Sequence, residues 1–349
     1  MGAKGRLHGP GYPPGGWVAW RGRPPYGDRR KPQENEMRIG IDIGGTKIVA
    51  GLVDSSGKVV ARKRILVGHD KSYLIVRDAI AELVRNILSE NNIHTESLER
   101  IGVASAGQID NEFKKIIFSP NLGWRNVPLR DDIETALKVH AFVDNDVNAA
   151  IYGEWRFGAA QGADNVLGVF IGTGVGGGII IRGKVYRGFN NAGAEIGHII
   201  LNPFGYPCNC GNTGCFETYC GGGYIVERVK KHIESGYRGK VWELIDGNID
   251  SLNAGHVEYG STLGDDLCEA VWTEVLEYLG AGLASLANLL NPEVIVIGGG
   301  VAYGTRHLIE DVKPIMKKRA MAASLKNMKL VKAKLKEDAA IIGAAFIEP

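Results

Sequence analysis

The stretch from Gly40 to Val60, "GIDIGGTKIVAGLVDSSGKVV", decides the fold. It is typical of an apolar strand, a glycine turn, a β-branched strand, a Ser-Ser-Gly turn and a third strand. The same order is repeated from Asn165 to Val185, "NVLGVFIGTGVGGGIIIRGKV", and both copies contain Gly-Lys-Val near their ends. Two copies about 130 residues apart indicate a duplicated domain.

Around these copies the pattern alternates between strands and helices, which predicts the α/β class. Apolar residues from Val76 to Leu88 have helical spacing. Strands are predicted in "ERIGVASAG", "AFVD" and "NPEVIVIGGG". Further along the chain we expect helices over 219–235, 265–290, 302–316 and 338–346, and a last strand over 329–333.

Composition argues against several functions. Of the 349 residues, residues 1–36 hold seven Lys or Arg and three Asp or Glu, and the rest is near neutral. A near-neutral body gives no electrostatic signature for nucleic acid or membrane, and no apolar run is long enough to span one. The Gly- and Pro-rich residues 1–36 are predicted to be a disordered extension. Five cysteines without a signal-peptide pattern favour thiols or a metal, and a cytoplasmic location.

The glycine turns favour anion binding. "GTGVGG", Gly172 to Gly177, matches a dinucleotide-binding loop, but Ile179–Ile181 favour a strand where that loop needs a helix. A glycine hairpin can instead offer its backbone N–H groups to phosphate. In "DIGGTK", Asp42 suits hydrated Mg²⁺ beside such a turn. A plain tight turn is the alternative for one hairpin alone, but two hairpins and "IGGG" before a helix favour phosphate.

One histidine and three cysteines predict a zinc site. His198, Cys208, Cys210 and Cys215 give the spacing H-x9-C-x-C-x4-C, and three cysteines with one histidine form a closed tetrahedral set. Gly211 and Gly214 allow the sharp turns that this spacing needs. A disulfide is the alternative. Because protein fills all four positions, the zinc is expected to be structural, whereas Cys220 and Cys268 are interpreted as core thiols.

These motifs resemble the superfamily of sugar kinases, hexokinases and actin-like ATPases. Within it the chain is similar to the ROK (repressor, open reading frame, kinase) family, on "DIGGTK", "AGAEIGHI" and "CNCGNTGC", from about Arg38 to Phe346. The resemblance implies duplicated actin-like ATPase (ribonuclease H-like) domains that form two lobes around a central cleft. We expect a small lobe over 37–146, joined by a C-terminal helix in 338–349, and a large lobe with the zinc motif over 147–337.

The resemblance also implies residue roles. Asp146 is expected to be the catalytic base, although a helix N-cap is its alternative role. The expected sugar-binding residues are Gly107, Asn121, Asn145, Asp146, Glu195, His198 and Glu217. The expected ATP-binding residues are Asp42, Gly44, Gly45, Thr46, Lys47, Gly172, Thr173, Gly174, Gly176, Gly177, Gly298, Gly299 and Gly300.

The implied function is ATP-dependent phosphorylation of the 6-hydroxyl of glucose or a related aldohexose. ATP, Mg²⁺ and a structural Zn²⁺ are the implied cofactors, and a homodimer is the implied assembly. Ala104, Ala106 and Ala194 depart from the commoner family pattern, so another acceptor is an alternative: N-acetylglucosamine, N-acetylmannosamine, glucosamine, mannose or fructose. A sugar-binding transcriptional regulator that does not phosphorylate is the alternative from another class.

Overall fold

The computed structural model describes residues 36–68 and 70–348. The extension predicted over residues 1–36 therefore lies outside the described residues, apart from Glu36. The strands are β1 (Met37–Ile43), β2 (Lys47–Val53), β3 (Val59–Leu66), β4 (Leu98–Ser105), β5 (Gln108–Ile109), β6 (Ile116–Ser119), β7 (Trp124–Val127), β8 (Ala141–Asn145), β9 (Val166–Ile171), β10 (Val175–Ile181), β11 (Lys184–Val185), β12 (Val294–Gly298) and β13 (Lys329–Lys332).

The helices alternate with these strands. They are α1 (Tyr73–Glu90), α2 (Leu129–Leu137), α3 (Asp146–Phe157), α4 (Phe216–Cys220), α5 (Gly222–Glu234), α6 (Lys240–Leu244), α7 (Ala254–Thr262), α8 (Asp266–Leu290), α9 (Gly299–Gly304), α10 (Leu308–Arg319), α11 (Ala322–Leu325) and α12 (Ala339–Phe346). In the described part of the chain, no helix is both long and apolar enough to cross a membrane.

The duplication predicted from the two glycine stretches is present as two five-stranded sheets. The first has the order β3-β2-β1-β4-β8 and the second β11-β10-β9-β12-β13. In each sheet three consecutive strands form an antiparallel meander. A fourth strand pairs in parallel with the first strand of the meander, and a fifth pairs in parallel with the fourth. The shared order confirms the predicted fold class of duplicated actin-like domains.

The helix pair α3 and α12 lies between the two sheets. Helix α12 packs on β1 and β4, where Gly40 and Gly102 leave room for its backbone. Helix α3 contacts β9 and β10 of the second sheet and crosses α12 closely at Gly153 and Gly343. Helix α12 thus packs against the first sheet. The assignment of the C-terminal helix to the small lobe and the lobe limits at 37–146 and 147–337 stay predictions.

Two predicted helices are each divided. The helix expected over 219–235 is α4 and α5, and the break falls at Gly221, whose extended backbone caps α5. Here the α5 amides of Gly222 and Gly223 bond to carbonyls of the second glycine turn, so the turn fixes where α5 begins. The helix expected over 302–316 is α9 and α10, separated near Thr305. Sequence reasoning did not identify α2, α6, α7 or the small sheet β5-β6-β7.

Candidate active site and metal centre

The predicted base lies at the junction of β8 and α3. Asn145 is the N-cap of α3, since its Oδ1 accepts from the amides of Val147 and Asn148 at 2.9 and 3.2 Å. Its Nδ2 donates to the carbonyl of Gly107 at 3.3 Å, which brings two predicted sugar-binding residues together. The N-cap is therefore Asn145 and not Asp146, which is the first helical residue. One oxygen of Asp146, Oδ1, accepts from the amide of Val147 at 3.0 Å.

Three carboxylates influence one another at this junction. Strands β1, β4 and β8 run parallel, and their register sets Asp42 beside Ala104 and Ala104 beside Asp144. Burial raises the pKa of Asp42 to about 7, the charge of Asp146 adds to the rise, and Lys47 opposes it. Burial likewise raises the pKa of Asp146, with a contribution from the charge of Glu195. The concentration of negative charge suits a site that receives a cation with its substrate.

The first glycine hairpin lies directly against the predicted sugar segment. Gly44 N–H donates to the carbonyl of Lys47 at 3.0 Å and closes the turn, while Thr46 and Lys47 are exposed. A side chain on Gly45 would begin 3.3 Å from the Cβ of Asn121. The close approach places Asn121, a predicted sugar ligand, in contact with the hairpin, which is a predicted phosphate loop.

The second glycine hairpin forms between two strands, as the β-branched residues after it predicted. Gly172 N–H donates to the carbonyl of Gly174 at 2.9 Å, and β9 and β10 pair in antiparallel fashion on either side. A Cβ on Gly176 would lie 2.6 Å from Val147 of α3, so only glycine lets the hairpin approach that helix. The hairpin thereby lies against the first turn of the helix that Asp146 opens.

The third glycine cluster is adjacent to the second hairpin. Gly298 ends β12, and Gly299 begins α9 with a φ of +88°. A Cβ on Gly299 would lie 2.5 Å from the carbonyl oxygen of Ile171, the last residue before Gly172. The sequence-predicted second and third nucleotide segments are thus neighbours in the fold.

Glu217 differs from its expected surroundings. Its Oε2 accepts from the amide of Val175 at 2.9 Å, and the same carboxylate lies against Gly174. In this structure Glu217 is tied to the second hairpin, which links the segment after the cysteines to the predicted phosphate loop. Glu195 is exposed and follows Ala194, whose φ of +66° is a backbone conformation that favours glycine.

The predicted metal ligands converge. The candidate ligand atoms of His198, Cys208, Cys210 and Cys215 all lie within 4.8 Å of one another. His198 Nδ1 is 3.8 Å from Cys208 Sγ, and Cys210 Sγ is 3.7 Å from Cys215 Sγ. A tetrahedron with zinc–sulfur bonds of about 2.3 Å has sulfur–sulfur edges of about 3.8 Å, so the set fits zinc. All five cysteines are free thiols, which argues against the disulfide alternative.

The backbone around the cysteines explains how so short a segment closes. Gly211 and Gly214 have φ values of +93° and +73°, as expected for the turns that the close spacing needs. Cys208 N–H donates to the carbonyl of Asn212 at 2.8 Å, and Gly211 N–H donates to the carbonyl of Cys208 at 3.0 Å. Since Nδ1 of His198 faces the thiols, Nε2 is left for a second partner.

Sequence reasoning missed Lys71. Its Nζ donates to the carbonyl of Asn121 at 3.2 Å, and its own carbonyl accepts from Trp124 Nε1 at 2.7 Å. The neighbouring Val67 N–H donates to the carbonyl of Thr46 at 2.9 Å, so the loop that carries Lys71 adjoins the first glycine hairpin. A single lysine in a polar loop offers no pattern that sequence reasoning could detect.

Comparisons with known proteins agree with this arrangement. The family model described as "ROK family" matches residues 38–348. A glucokinase of Halalkalibacterium halodurans is 35% identical over 314 residues, which cover 88% of this chain and 94% of that protein. A xylose repressor of Caldicellulosiruptor bescii is 29% identical over 309 residues, which cover 87% of this chain and 76% of that protein.

A solved structure of a relative shows the same fold. The ROK family glucokinase from Streptomyces griseus, in complex with glucose and AMPPNP, superimposes with a TM-score of 0.76 at 33% identity. The match covers 88% of this chain and 98% of that one. With the family model spanning both duplicated sheets, the glycine hairpins and the cysteine cluster, the chain belongs to the ROK family.

Proposed function

We propose that this chain is an ATP-dependent hexose kinase that phosphorylates the 6-hydroxyl of glucose or a related aldohexose. The observation that carries the proposal is the position of Asp146. It is the first residue of α3, at the carboxyl end of β8, and the first turn of that helix touches the second glycine hairpin. A relative of known structure holds glucose and AMPPNP together, which supports the same pair of substrates here.

In this proposal Asp146 accepts the proton of the attacking hydroxyl. A carboxylate is a weak base, but the proton leaves late in the loose transition state of phosphoryl transfer, so a positioned carboxylate suffices. The raised pKa of Asp146 brings it nearer to the range useful for a base. The sugar is held by Asn121, Asn145, Glu195 and the free nitrogen of His198, whose hydrogen bonds select the hydroxyl pattern.

The nucleotide lies along the glycine segments. The backbone N–H groups of the two hairpins hold the phosphates, and the cluster at Gly298 to Gly300 flanks the adenosine. Asp42 would hold Mg²⁺, which would neutralise phosphate charge when bound. A zinc ion on His198 and the three cysteines is structural, because protein fills all its positions. The homodimer and the cytoplasmic location also remain part of the proposal, and sedimentation velocity would measure the assembly.

A panel of acceptor sugars tests the proposal. We expect kcat/KM with ATP and Mg²⁺ to be highest for glucose or another aldohexose. Phosphorus NMR of the product should show the phosphate on the 6-hydroxyl. The panel includes mannose, glucosamine, fructose and the two N-acetylated hexosamines. A higher kcat/KM for an N-acetylated sugar would move the proposal to that acceptor, and a chain that phosphorylates no sugar would overturn it.

The regulator is the second candidate, because a xylose repressor matches across most of this chain. Asp42 and Asp146 favour the kinase, since a protein that only binds sugar needs neither a base nor a residue for Mg²⁺. Sugar binding by calorimetry with no ATP turnover would favour the regulator, whereas turnover with the same sugar excludes it.

A further inference from the structure

Asp144 and Arg187 form a buried ion pair that joins the two duplicated halves. Asp144 ends the buried part of β8, and Arg187 follows β11. Arg187 donates from Nε and Nη2 to Asp144 Oδ2 at 2.9 and 2.7 Å, and the side chains are 10% and 3% exposed. Two charge-assisted bonds from one guanidinium fix direction as well as distance.

Both partners make further contacts. The second oxygen of Asp144 accepts from the amide of Asn145 at 2.7 Å and from Asn148 Nδ2 at 3.2 Å. The guanidinium of Arg187 also donates to the carbonyl of Glu348 at 2.7 Å and lies 4.9 Å from the centre of the Phe113 ring. A buried pair with this many partners is held in one arrangement, and removal of one partner leaves the other charge uncompensated.

Arg187 also begins the segment that leads to Glu195 and His198. We name residues 186–195 the Glu195 loop; it contains no helix or strand. Gly188, Asn191 and Ala194 have positive φ values there, and for the two non-glycine residues this conformation is costly. Within the loop, Gly193 N–H donates to the carbonyl of Arg187 at 2.9 Å. Asn191 Nδ2 donates to the carbonyl of Asp110 at 2.7 Å, which is a second attachment to the first half.

We infer that Arg187 is a positioning residue for phosphoryl transfer. Through Asp144 it holds the first turn of α3, which carries Asn145 and Asp146, and through its own backbone it holds the Glu195 loop. Arg187 thereby fixes the position of Asp146, the proposed base, relative to Glu195, which is proposed to bind the other end of the sugar. Arg187 itself does not touch the reacting atoms. The inference rests on the proposed kinase function.

The test compares Arg187→Gln and Arg187→Lys with Arg100→Gln. Arg100 is a matched control: it is 12% exposed, lies near the amino end of β4 and donates Nε to the carbonyl of Ala345 at 2.9 Å. Both arginines also approach Glu348, so the comparison isolates the bonds that Arg187 makes to Asp144. We expect Arg187→Gln to lower kcat/KM for glucose by about 10- to 100-fold while KM for ATP stays within about twofold. Arg187→Lys keeps the charge but lacks the planar guanidinium that makes two bonds to Asp144, so an intermediate loss of kcat/KM is expected.

A double-mutant cycle with Asp144→Asn separates positioning from general stability. Because the two side chains act as a unit, Arg187→Gln in the Asp144→Asn background should cost much less in kcat/KM for glucose than it does alone. Assays are run well below the melting temperature of every variant. Equal losses in Arg100→Gln and Arg187→Gln, or kcat/KM for glucose within about twofold of the wild type in Arg187→Gln, would overturn the inference.

Hydrogen exchange gives a second readout that does not need turnover. Peptides over 142–148 and over the Glu195 loop should both lose protection in Arg187→Gln and keep it in Arg100→Gln. Unchanged protection in both peptides would contradict the inference even if activity falls. A wild-type chain that phosphorylates no sugar would overturn the proposed function instead, and the exchange result would still decide whether Arg187 holds the two segments.

Discussion

At the scale of single residues, the site brings together carboxyl groups whose burial disfavours ionisation. Burial raises the pKa of both Asp42 and Asp146, the charge of Asp146 adds to the rise for Asp42, and the charge of Glu195 adds to the rise for Asp146. Groups arranged for catalysis commonly reduce stability in this way. A bound cation and its phosphate ligands would remove the cost at the moment when the site is used.

Asp42→Asn should therefore stabilise the free protein at high pH while it impairs activity. With a pKa of about 7 in the folded state against about 3.9 in the unfolded chain, the folded state retains a proton that the unfolded state has lost. The contribution of Asp42 to the free energy of unfolding is therefore largest below about pH 4 and falls as pH rises towards 7. We expect the variant to raise Tm by about 3 °C or more at pH 8, with little change at pH 4.

Asp54→Asn is the matched control, and the opposite change in Tm is expected for it. Slight burial acts against ionisation of Asp54, but hydrogen bonds from Ser56 and Lys58 outweigh it and lower its pKa. Its contribution is present above the unfolded pKa and is lost in acid, so Asp54→Asn should lower Tm at pH 8. A fall in Tm of Asp42→Asn at pH 8 as large as that of Asp54→Asn would contradict the account of the cleft carboxylates.

Residue identities in motifs were predictable, whereas their exact local roles were not. The convergence of His198 with the cysteines follows from ligand chemistry and spacing, which sequence shows directly. The choice between Asn145 and Asp146 as the cap depends on backbone angles, and the pairing of Asp144 with Arg187 joins side chains 43 positions apart. Single polar residues that meet across the fold leave no periodic signal in sequence.

At the scale of elements, the cysteine segment, residues 198–217, connects two predicted sugar ligands. His198 lies at its start and Glu217 at its end, where Glu217 holds the amide of Val175. An isolated bridge pairs Ile200 with Cys215 and so brings the ends of the segment together. Because His198 is itself a predicted metal ligand, the metal site is expected to fix His198 directly, and the contact of Glu217 with the second hairpin only through the intervening chain.

We expect about one zinc per chain by elemental analysis of the purified protein, and less in Cys208→Ser and Cys215→Ser. Zinc loss should lower Tm and raise KM for glucose before KM for ATP, because His198 belongs to both the metal set and the sugar site. Cys268→Ser is the control, since Cys268 is a buried thiol of α8 away from the metal set. Unchanged zinc content and Tm in Cys208→Ser and Cys215→Ser would show that the site is assigned wrongly.

Element types were predictable where the pattern was long or periodic. The alternation and glycine turns identified both meanders, and the apolar spacing identified α1 and α8. The breaks at Gly221 and near Thr305 were not predictable, because they are set by contacts with the second hairpin and with neighbouring helices. The short strands of β5-β6-β7 have too few residues for a reliable period.

At the scale of the whole molecule, two similar sheets face a shared site through α3 and α12. Each half contributes one glycine hairpin, and Asp146, the proposed base, lies on α3, which contacts strands of both sheets. The arrangement gives a physical reason for the duplication: equivalent turns from two halves can hold the two ends of a phosphate chain. Lobe closure about this helix pair would exclude water from the transferring phosphoryl group.

The most direct test of the central claim is the steady-state rate of ATP-dependent glucose phosphorylation by the wild type and by Asp146→Asn. Glucose binding is measured on both by calorimetry, so that loss of chemistry is separated from loss of substrate. We predict turnover in the wild type and a fall in kcat of about 10²- to 10⁴-fold in Asp146→Asn with binding retained. Turnover in the variant within about tenfold of the wild type would contradict the assignment of Asp146 as the base.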